Sequence, residues 1–363
     1  MHPFKRNRPH SQVAVTKKVQ EKTECRTGVY TQSHGDSSTV STKQFPAAVE
    51  FGKRSNQRGS ALLTALFIMT LIAIVATAMS TRLQQDIYRT RLVVTHDKLY
   101  LASQVVTFWA FDQLNDKSQK FSKSNQRGLV AQYPQNMGQI VNNIKVSGGL
   151  YDLQARFNLN NLADKKFMGM FINLFSYTTP KLNNEGRLNL MLAVKDWISP
   201  YDLARGKDIY TDYYLSQKPP YYPSHQLMTS ATELRLIKDV SSSLFQSIEP
   251  FITALPETTP ININTASKKV LMSLGSGLNE EQVNEIIMAR GEDGIKNLKD
   301  ISELMKKINL TTDQITIESK YFLCVTYATS DEFKLAVYTL LKRGQDKQGR
   351  ITVSIVRESI SGF

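Results

Sequence analysis

A long uncharged segment near the N-terminus constrains this chain more than any other feature. Residues 60–79 contain no charged side chain, and the first charge after them is Arg82. At about 1.5 Å of rise per residue, a helix of this length crosses the hydrocarbon core of a bilayer. No glycine or proline occurs between Gly59 and Gly128, so the helix can continue beyond the membrane. The basic stretch 54–58 favours a cytoplasmic N-terminus and a folded head on the far side.

Three interpretations of this segment are open. A plain single-pass anchor needs no cleavage, whereas a secretory signal peptide would be cut after Ala78, because Ala76-Thr77-Ala78 satisfies the small-residue rule. A very long basic region, and an apolar run beyond the usual length of about 7–15 residues, disfavour the signal peptide. The third interpretation is a prepilin leader, since Arg58-Gly59 followed by a hydrophobic helix resembles the processing site of type IV pilins and type II secretion pseudopilins.

The resemblance to pilin precursors implies roles for three residues. A prepilin peptidase would cut between Gly59 and Ser60, and the new amine of Ser60 would be methylated. Most members have Phe at the first mature position and Glu at the fifth, where this chain has Ser60 and Thr64. In the family, that glutamate pairs with the N-terminal amine of a neighbouring subunit during assembly. The K type of minor pseudopilin characteristically lacks it.

The segment before the cleavage position, residues 1–59, holds much of the positive charge. It carries 11 lysines and arginines against 4 acidic residues, so +7 of the net charge of +13 lies here and +6 remains for the rest. Its polar composition without apolar periodicity predicts a disordered leader. Its removal weakens any argument from overall charge to a nucleic-acid partner. Cys25 would leave with it, and Cys324 lies in an apolar stretch where we expect a small buried hydrophobe.

The exported chain begins with a helical face and continues with strand patterns. Apolar residues at gaps of three, four and seven predict a helix ending near Asn115, with a stripe that must pack on something. The stripe consists of Leu83, Ile87, Val94, Leu101, Val105, Phe108 and Leu114. The pattern around Gly148-Gly149 predicts a β-hairpin with a glycine turn. Further strands are predicted at 321–328, 333–342 and 351–356.

Strands from both ends of the head imply an insertion between them. Residues 158–310 have mostly helical patterns, so the predicted fold class is α+β. A pilin-like long N-terminal helix would pack on an antiparallel sheet that is interrupted by a large, mostly helical insertion resembling SAM and helix-hairpin-helix domains. The predicted parts are a leader (1–59), a transmembrane and stalk helix (60–115), the first part of the sheet (116–157), a helical insertion (158–250), a second small helical module (251–312) and the C-terminal strands (313–363).

Four blocks in the head resemble the type II secretion protein K family, in the family's order. They are Asp152–Leu162, Val194–Ile198, Pro260–Ala266 and Ser319–Phe322. The third block matches the family's P-I-N-V-N-T-A almost residue for residue, while Ala155 replaces the usual glycine of the first block. From the residues alone, these blocks have structural roles. Three asparagines, at positions 158, 160 and 161, are suited to turning a strand into a helix, and Trp197 is suited to anchoring a core.

The stretch from Asn262 to Arg290 also resembles a helix-hairpin-helix unit, which in DNA-binding proteins offers backbone N–H groups to phosphates. In that interpretation Asn262, Asn264 and Thr265 cap the first helix. Acidic residues surround the hairpin and oppose phosphate binding; they are Glu280, Glu281, Glu285, Glu292 and Asp293. A small helical packing module is therefore favoured, and a nucleic-acid partner is not expected.

No catalytic constellation emerges, so the sequence predicts no enzyme. After Gly59 the histidines are His96 and His225, and no nucleotide-binding, metalloprotease or nucleophile-elbow motif occurs. Calcium is the one plausible ion, because Asp196, Asp202, Asp208 and Asp212 lie in one loop. Relatives of the protein K family can bind calcium in this domain, but Ser199 and Tyr201 stand where they tend to carry Asp. We favour a solvated loop and keep Asp202, Asp208 and Asp212 as the calcium candidates.

A loop rich in tyrosine and proline follows these aspartates. It contains Tyr210, Tyr213, Tyr214, Tyr221 and Tyr222. Tyrosine offers a large contact area at low entropic cost, so the loop could form a contact surface. It could equally wrap the core of the helical domain, and both interpretations stay open.

Taken together, the resemblance implies a minor pseudopilin at the tip of the type II secretion pseudopilus. It would be processed by the prepilin peptidase and would assemble with I- and J-type minor pseudopilins, the major pseudopilin and the inner-membrane secretion platform. It would start the filament and support export across the outer membrane. Its expected location is the inner membrane, single-pass, with the head in the periplasm. Two alternatives are a membrane-anchored DNA-binding competence protein and a plain membrane-anchored scaffold that is not processed at Gly59.

Overall fold

The computed structural model describes residues 58–125, 127–141, 143–202, 210–308, 310–331, 333–360 and 362. The predicted disorder of the leader, together with Cys25 and Asp208, lies outside the described residues. The chain divides into two units, Met1–Leu71 and Ile72–Phe363.

After a long N-terminal helix, the chain forms strands of the main sheet, then a helical insertion, and then the remaining strands of the sheet. The helices are α1 (Arg58–Asn115), α2 (Met168–Thr178), α3 (Asn184–Ile198), α4 (Thr211–Leu215), α5 (Ser242–Ile248), α6 (Lys268–Met272), α7 (Glu280–Arg290) and α8 (Ser302–Lys307). The strands are β1 (Leu129–Gln132), β2 (Gln139–Val141), β3 (Ile144–Asp152), β4 (Phe157–Asn158), β5 (Ile252–Thr253), β6 (Ile261–Asn262), β7 (Ile315–Thr316), β8 (Tyr321–Thr329), β9 (Lys334–Gln345) and β10 (Ile351–Ile360).

Helix α1 ends at Asn115, where the sequence places its end. The part from Ser60 onward is long and apolar enough to cross a membrane. Threonine hydroxyls in this part donate back to carbonyls of their own helix, as from Thr77 to Ala73 O at 2.7 Å and from Thr70 to Phe67 O at 2.8 Å. These bonds satisfy polar groups that lipid cannot, so the threonines are compatible with a membrane span.

The main sheet is antiparallel, with the strand order β1-β3-β8-β9-β10 and β2 also paired to β3. The three C-terminal strands are the ones that the sequence predicts. Strands β3 and β8 are neighbours in the sheet although about 170 residues separate them in the sequence. The α+β fold class, with a long N-terminal helix and an antiparallel sheet, is confirmed.

The predicted hairpin at Gly148-Gly149 is wrong, because both glycines lie in the middle of the continuous strand β3. A Cβ atom on Gly148 would lie 2.4 Å from Val325 O and 2.9 Å from Val106 Cγ1. The glycine is therefore needed for the close approach of β3 to β8 and α1, not for a turn. A glycine pair inside an apolar pattern has both uses, and local sequence does not distinguish them.

One face of α1 packs on the sheet, but it is not the predicted stripe. The buried residues are Leu99, Ala102, Val106, Ala110 and Leu114, against Val146, Leu150, Phe322, Cys324, Ala328, Val337 and Leu341 of the sheet. Of the predicted stripe only Leu114 is buried. Cys324 is fully buried, as expected, and burial raises the pKa of its thiol to about 11, so a reactive thiolate is not favoured.

The helical insertion lies between β3 and β8 and has its own core, built from α2, α3, α5, α6, α7 and the segments between them. The predicted helices at 167–175, 188–198 and 241–248 are present as α2, α3 and α5. The predicted helix at Ala231–Ile237 is a 3-10 helix over Ala231–Leu236, begun by a capping box of Ser230 and Glu233. Two short parallel strand pairs, β4-β5 and β6-β7, join distant parts of the insertion.

The insertion leaves the sheet at the end where α1 terminates. Arg343 of β9 donates to the carbonyls of Asp116 and Gln119, just after α1, at 2.9 and 3.3 Å. Its neighbour in β9, Lys342, pairs with Tyr321 at the start of β8, and Asp152 at the end of β3 pairs with Phe322. The insertion is therefore joined to the sheet at the C-terminal end of α1.

Candidate functional site

The residues of the predicted processing position lie in the first turns of α1. Ser60 and Thr64 are exposed, and the Thr64 hydroxyl donates to Ala61 O at 3.0 Å. A threonine hydroxyl carries no charge, so Thr64 cannot form an ion pair with the amine of a neighbouring subunit. Cleavage after Gly59 and methylation of Ser60 remain predictions.

An apolar stripe on α1 has no partner within the described chain. Ile87, Val94, Leu101 and Phe108 follow one another at intervals of seven residues, and their exposed fractions are 59, 45, 68 and 71%. A repeat of seven keeps residues on one side of a helix, here the side opposite the face that packs on the sheet. We call these four residues the α1 stripe. Such a stripe is typical of a helix that packs against another helix.

A buried carboxylate joins the sheet to the insertion. Asp152, at the end of β3, is fully buried and accepts hydrogen bonds from Thr265 Oγ1 at 2.5 Å, Ser319 Oγ at 2.7 Å and Asn262 Nδ2 at 3.0 Å. The Gln154 backbone N–H adds a fourth bond at 2.8 Å. Burial raises the pKa of the Asp152 carboxyl, while these four bonds oppose the shift. Three of the four resemblance blocks thus meet at one side chain.

The asparagines of the first block do more than turn the chain locally. Asn158 accepts bonds from the backbone N–H groups of Asn160 and Leu255, and Asn160 accepts one from Met228. The amides of both asparagines donate to carbonyls about 70 to 100 residues away. Asn161 binds Thr259 through both its amide and its carbonyl oxygen, at 2.8 and 2.9 Å. The local role is confirmed at Asn158, which caps the following 3-10 helix. The long-range role could not be found from spacing alone.

The helix-hairpin-helix interpretation of the second module is not favoured by its contacts. Asn262 and Thr265 bind Asp152 instead of capping α6, whose N-cap is Ser267. The Arg290 side chain is partly buried and donates to the carbonyls of Ile263 and Ala266. The two lysines at the start of α6 also have partners within the protein. Lys268 pairs with Glu280 at 3.0 Å, and Lys269 lies 5.2 Å from the Phe251 ring centroid.

The tyrosine-rich loop divides between core and surface. Tyr214 is fully buried, with its ring centroid 5.4 Å from the rings of both Trp197 and Tyr221. Trp197 is a core residue, as predicted, and its indole N–H donates to Glu233 Oε2 at 3.4 Å. Tyr222, by contrast, is 71% exposed. The loop mainly completes the core of the insertion, and Tyr222 is its exposed part.

The calcium candidates are only partly described. Asp202 and Asp212 lie on either side of the segment 203–209, which contains Asp208 and is outside the described residues. Among the residues that the structure describes, no group of three or more His, Cys, Asp or Glu side chains forms a metal site. Calcium binding by this loop remains a prediction.

A long helix whose first part is long and apolar enough to span a membrane, and whose second half packs on an antiparallel sheet, has the architecture of a pilin-like fold. Two family models described as type II secretion system protein K match residues 155–257 and 261–318. The Pseudomonas aeruginosa protein of that name is 27% identical over 208 residues, which cover 55% of this chain and 61% of the relative. The Aeromonas hydrophila protein is 26% identical over 326 residues, covering 80% of this chain and 95% of the relative. Together, these matches support an assignment of the chain to the type II secretion system protein K family.

A solved structure shares the fold. It is the crystal structure of the GspK–GspI–GspJ complex from the type 2 secretion system of enterotoxigenic Escherichia coli. The likeness has a TM-score of 0.55 at 20% identity and covers 78% of this chain and 99% of the solved chain.

Proposed function

We propose that this protein is the minor pseudopilin at the tip of a type II secretion pseudopilus, where it assembles with I- and J-type minor pseudopilins. The observation that carries the proposal is the position of the helical insertion. It joins the pilin-like sheet at the end where α1 terminates, and its core contains residues from Phe157 to Ile315. In a filament whose subunits are added along α1, this bulk leaves no place for another subunit beyond it.

Two further features support the proposal. Thr64 provides no carboxylate for a neighbour's N-terminal amine, which suits a subunit that recruits nothing beyond itself. The α1 stripe leaves an apolar helix face for partners, and buried apolar area is the main source of stability in such helix contacts. The named complex of the solved relative contains I- and J-type proteins, which are the proposed partners here. Processing after Gly59, an inner-membrane location and a periplasmic head belong to the same proposal.

The α1 stripe provides the test. The protein is co-expressed with the I- and J-type proteins of its own organism, extracted in detergent and purified by a tag on this chain. We expect all three to copurify, and we expect the double variant Leu101→Glu/Phe108→Glu to lose its partners, because each carboxylate would be buried in an apolar contact. The matched control Leu101→Met/Phe108→Leu keeps both positions apolar and should retain them. If the glutamate variant retains both partners, the stripe is not the assembly face; if the wild type binds neither, the proposed partners are wrong.

A further inference from the structure

A cleft with an excess of positive charge lies beside the C-terminal end of α1. Its volume is about 580 Å³, and it is formed by the loop after α1, the segment before β8 and the turn between β9 and β10. The charged residues that line it are Lys117, Lys120, Glu318, Lys320 and Arg343. Four cations from three separate parts of the chain thus meet one carboxylate.

These four cations are only partly balanced within the protein. Asp116 and Glu318 act on Arg343, Asp346 acts on Lys117 and Glu257 acts on Lys320, each from beyond ion-pair distance. In the described part of the chain, none of them has a carboxylate oxygen within 4.0 Å of its side-chain nitrogen. Neighbouring lysines differ, since Lys123 pairs with Glu292 at 2.7 Å and Lys342 with Glu257 at 2.9 Å. Cations that are grouped in this way without direct ion pairs repel one another and raise the local concentration of anions.

The loop that carries two of the lysines is held in place. The Arg343 guanidinium donates to Asp116 O and Gln119 O and lies 5.6 Å from the Phe121 ring centroid. Phe121 itself has a φ of 46°, a left-handed conformation that is unfavourable for a bulky residue, and its ring packs on Phe322 at 5.2 Å. These contacts of Arg343 and Phe121 fix the backbone from which Lys117 and Lys120 extend, so the cleft has a defined shape.

The donors around the cleft favour spread-out carboxylates over a compact phosphate. Phosphate sites use converging backbone N–H groups. Here the carboxylate of Asp346 already accepts from the N–H groups of Gln348 and Arg350, at 2.9 and 2.8 Å, and Asp116 accepts from the Ser118 N–H at 2.8 Å. The free donors are therefore those of long, separated side chains. They match several carboxylates distributed along an extended peptide.

We propose that this cleft binds an acidic segment of a partner protein, rich in Asp and Glu side chains. The cleft is separate from the α1 stripe, and its role does not depend on the position of the protein in the filament. It gives the protein a second contact surface, in which charge instead of apolar area selects the partner.

The test uses the full chain in detergent micelles and fluorescein-labelled hexaglutamate, followed by fluorescence anisotropy at about 50 mM salt. We expect binding that weakens as salt is added. The cleft variant Lys120→Glu/Lys320→Glu should lower the affinity by about tenfold or more, because it reverses two charges at the site. The control variant Lys145→Glu/Lys181→Glu makes the same change in net charge at exposed lysines outside the cleft and should change the affinity by less than about twofold. Glu318→Gln removes the carboxylate that lines the cleft and should increase the affinity for hexaglutamate.

Three outcomes would overturn the proposal. They are no binding of hexaglutamate to the wild type, an equal loss in the cleft and control variants, and an affinity for hexaglutamate that does not fall as salt is added. If the charge-reversed cleft variant does not fold, Lys120→Gln/Lys320→Gln replaces it, and an unchanged affinity in that variant also overturns the proposal. Copurification with I- and J-type proteins is measured separately, so this proposal and the proposed function can fail independently.

Discussion

Asp152 shows how one residue can hold two parts of the molecule together. Its carboxylate lies at the end of β3, while Asn262 and Thr265 belong to the insertion and Ser319 precedes β8. A buried charge of this kind is tolerated only when its hydrogen bonds are complete. The folded protein binds a proton at Asp152 more readily than the unfolded chain does, since burial raises the pKa of this group. Its contribution to stability is therefore greatest below its ordinary pKa of 3.8 and falls as the pH rises through the raised value.

The substitution Asp152→Asn should remove this titration. We expect the variant to be less stable by about 1–3 kcal/mol at neutral pH, because its amide N–H₂ would face the Asn262 amide donor. The difference in free energy of unfolding between wild type and variant should grow as the pH falls, since only the wild type gains from protonation. Urea unfolding in micelles, repeated across the acidic range, measures that difference.

Asp346→Asn is the matched control for that pH dependence. Backbone and side-chain hydrogen bonds from Arg350 lower the pKa of Asp346, so its contribution to stability is lost as the pH falls. The two variants should therefore show pH dependences of opposite sign. A pH-independent difference for Asp152→Asn would mean that Asp152 has the same pKa in the folded and unfolded states.

At the scale of elements, local pattern predicted most of the fold. The end of α1, the strands β8, β9 and β10 and the helices α2, α3 and α5 follow from apolar periodicity and from breaks at polar or glycine residues. The prediction of a hairpin at Gly148-Gly149 failed because Gly148 is required by the close approach of Val325 and Val106, which lie far away in the sequence. The prediction of which face of α1 packs on the sheet was wrong for a related reason. Two apolar faces were present, and the sequence does not say which one the sheet covers.

The candidate site was predictable to the extent that it depends on type and order of residues. The blocks at 152–162 and 260–266 are visible in the sequence, whereas the processing position stays a prediction. That Asp152, Asn262, Thr265 and Ser319 form one junction is not, because their contacts span 57 to 167 positions. The basic cleft was also missed, since its four cations come from three distant segments and look like ordinary surface lysines and an arginine.

The tyrosine-rich loop provides a test at this scale. Tyr214→Ala should lower the free energy of unfolding by about 3–5 kcal/mol, because it leaves a cavity beside Trp197 and Tyr221. Tyr222→Ala changes a residue that is 71% exposed and should alter the free energy of unfolding by less than about 0.5 kcal/mol. Denaturant unfolding of the two variants compares them directly. Equal, small effects would show that the loop is a surface feature and not part of the core.

At the scale of the whole molecule, assembly and anchoring make different demands on α1. The first part is apolar on all sides, as a bilayer span requires, whereas the second part carries two apolar faces, one packed on the sheet and one, the α1 stripe, exposed. A plain anchor would need only the first of these features. The α1 stripe and the position of the insertion are therefore what favour a filament subunit over a scaffold that only tethers a head.

Processing after Gly59 distinguishes these two possibilities most directly. If the protein enters a filament, its leader has to be removed, because the charged stretch before Gly59 would otherwise have to cross the hydrocarbon core with α1. Gly59→Val should leave the full precursor in the membrane and abolish type II secretion, because a branched side chain would occupy a position at which the peptidase meets only hydrogen. Gly28→Val makes the same change within the leader and should affect neither processing nor secretion. Intact-mass measurement on the purified proteins tests both variants. The wild type should begin at a methylated Ser60, and a wild type that retains Met1 would instead identify a simple anchor whose head never enters a pseudopilus.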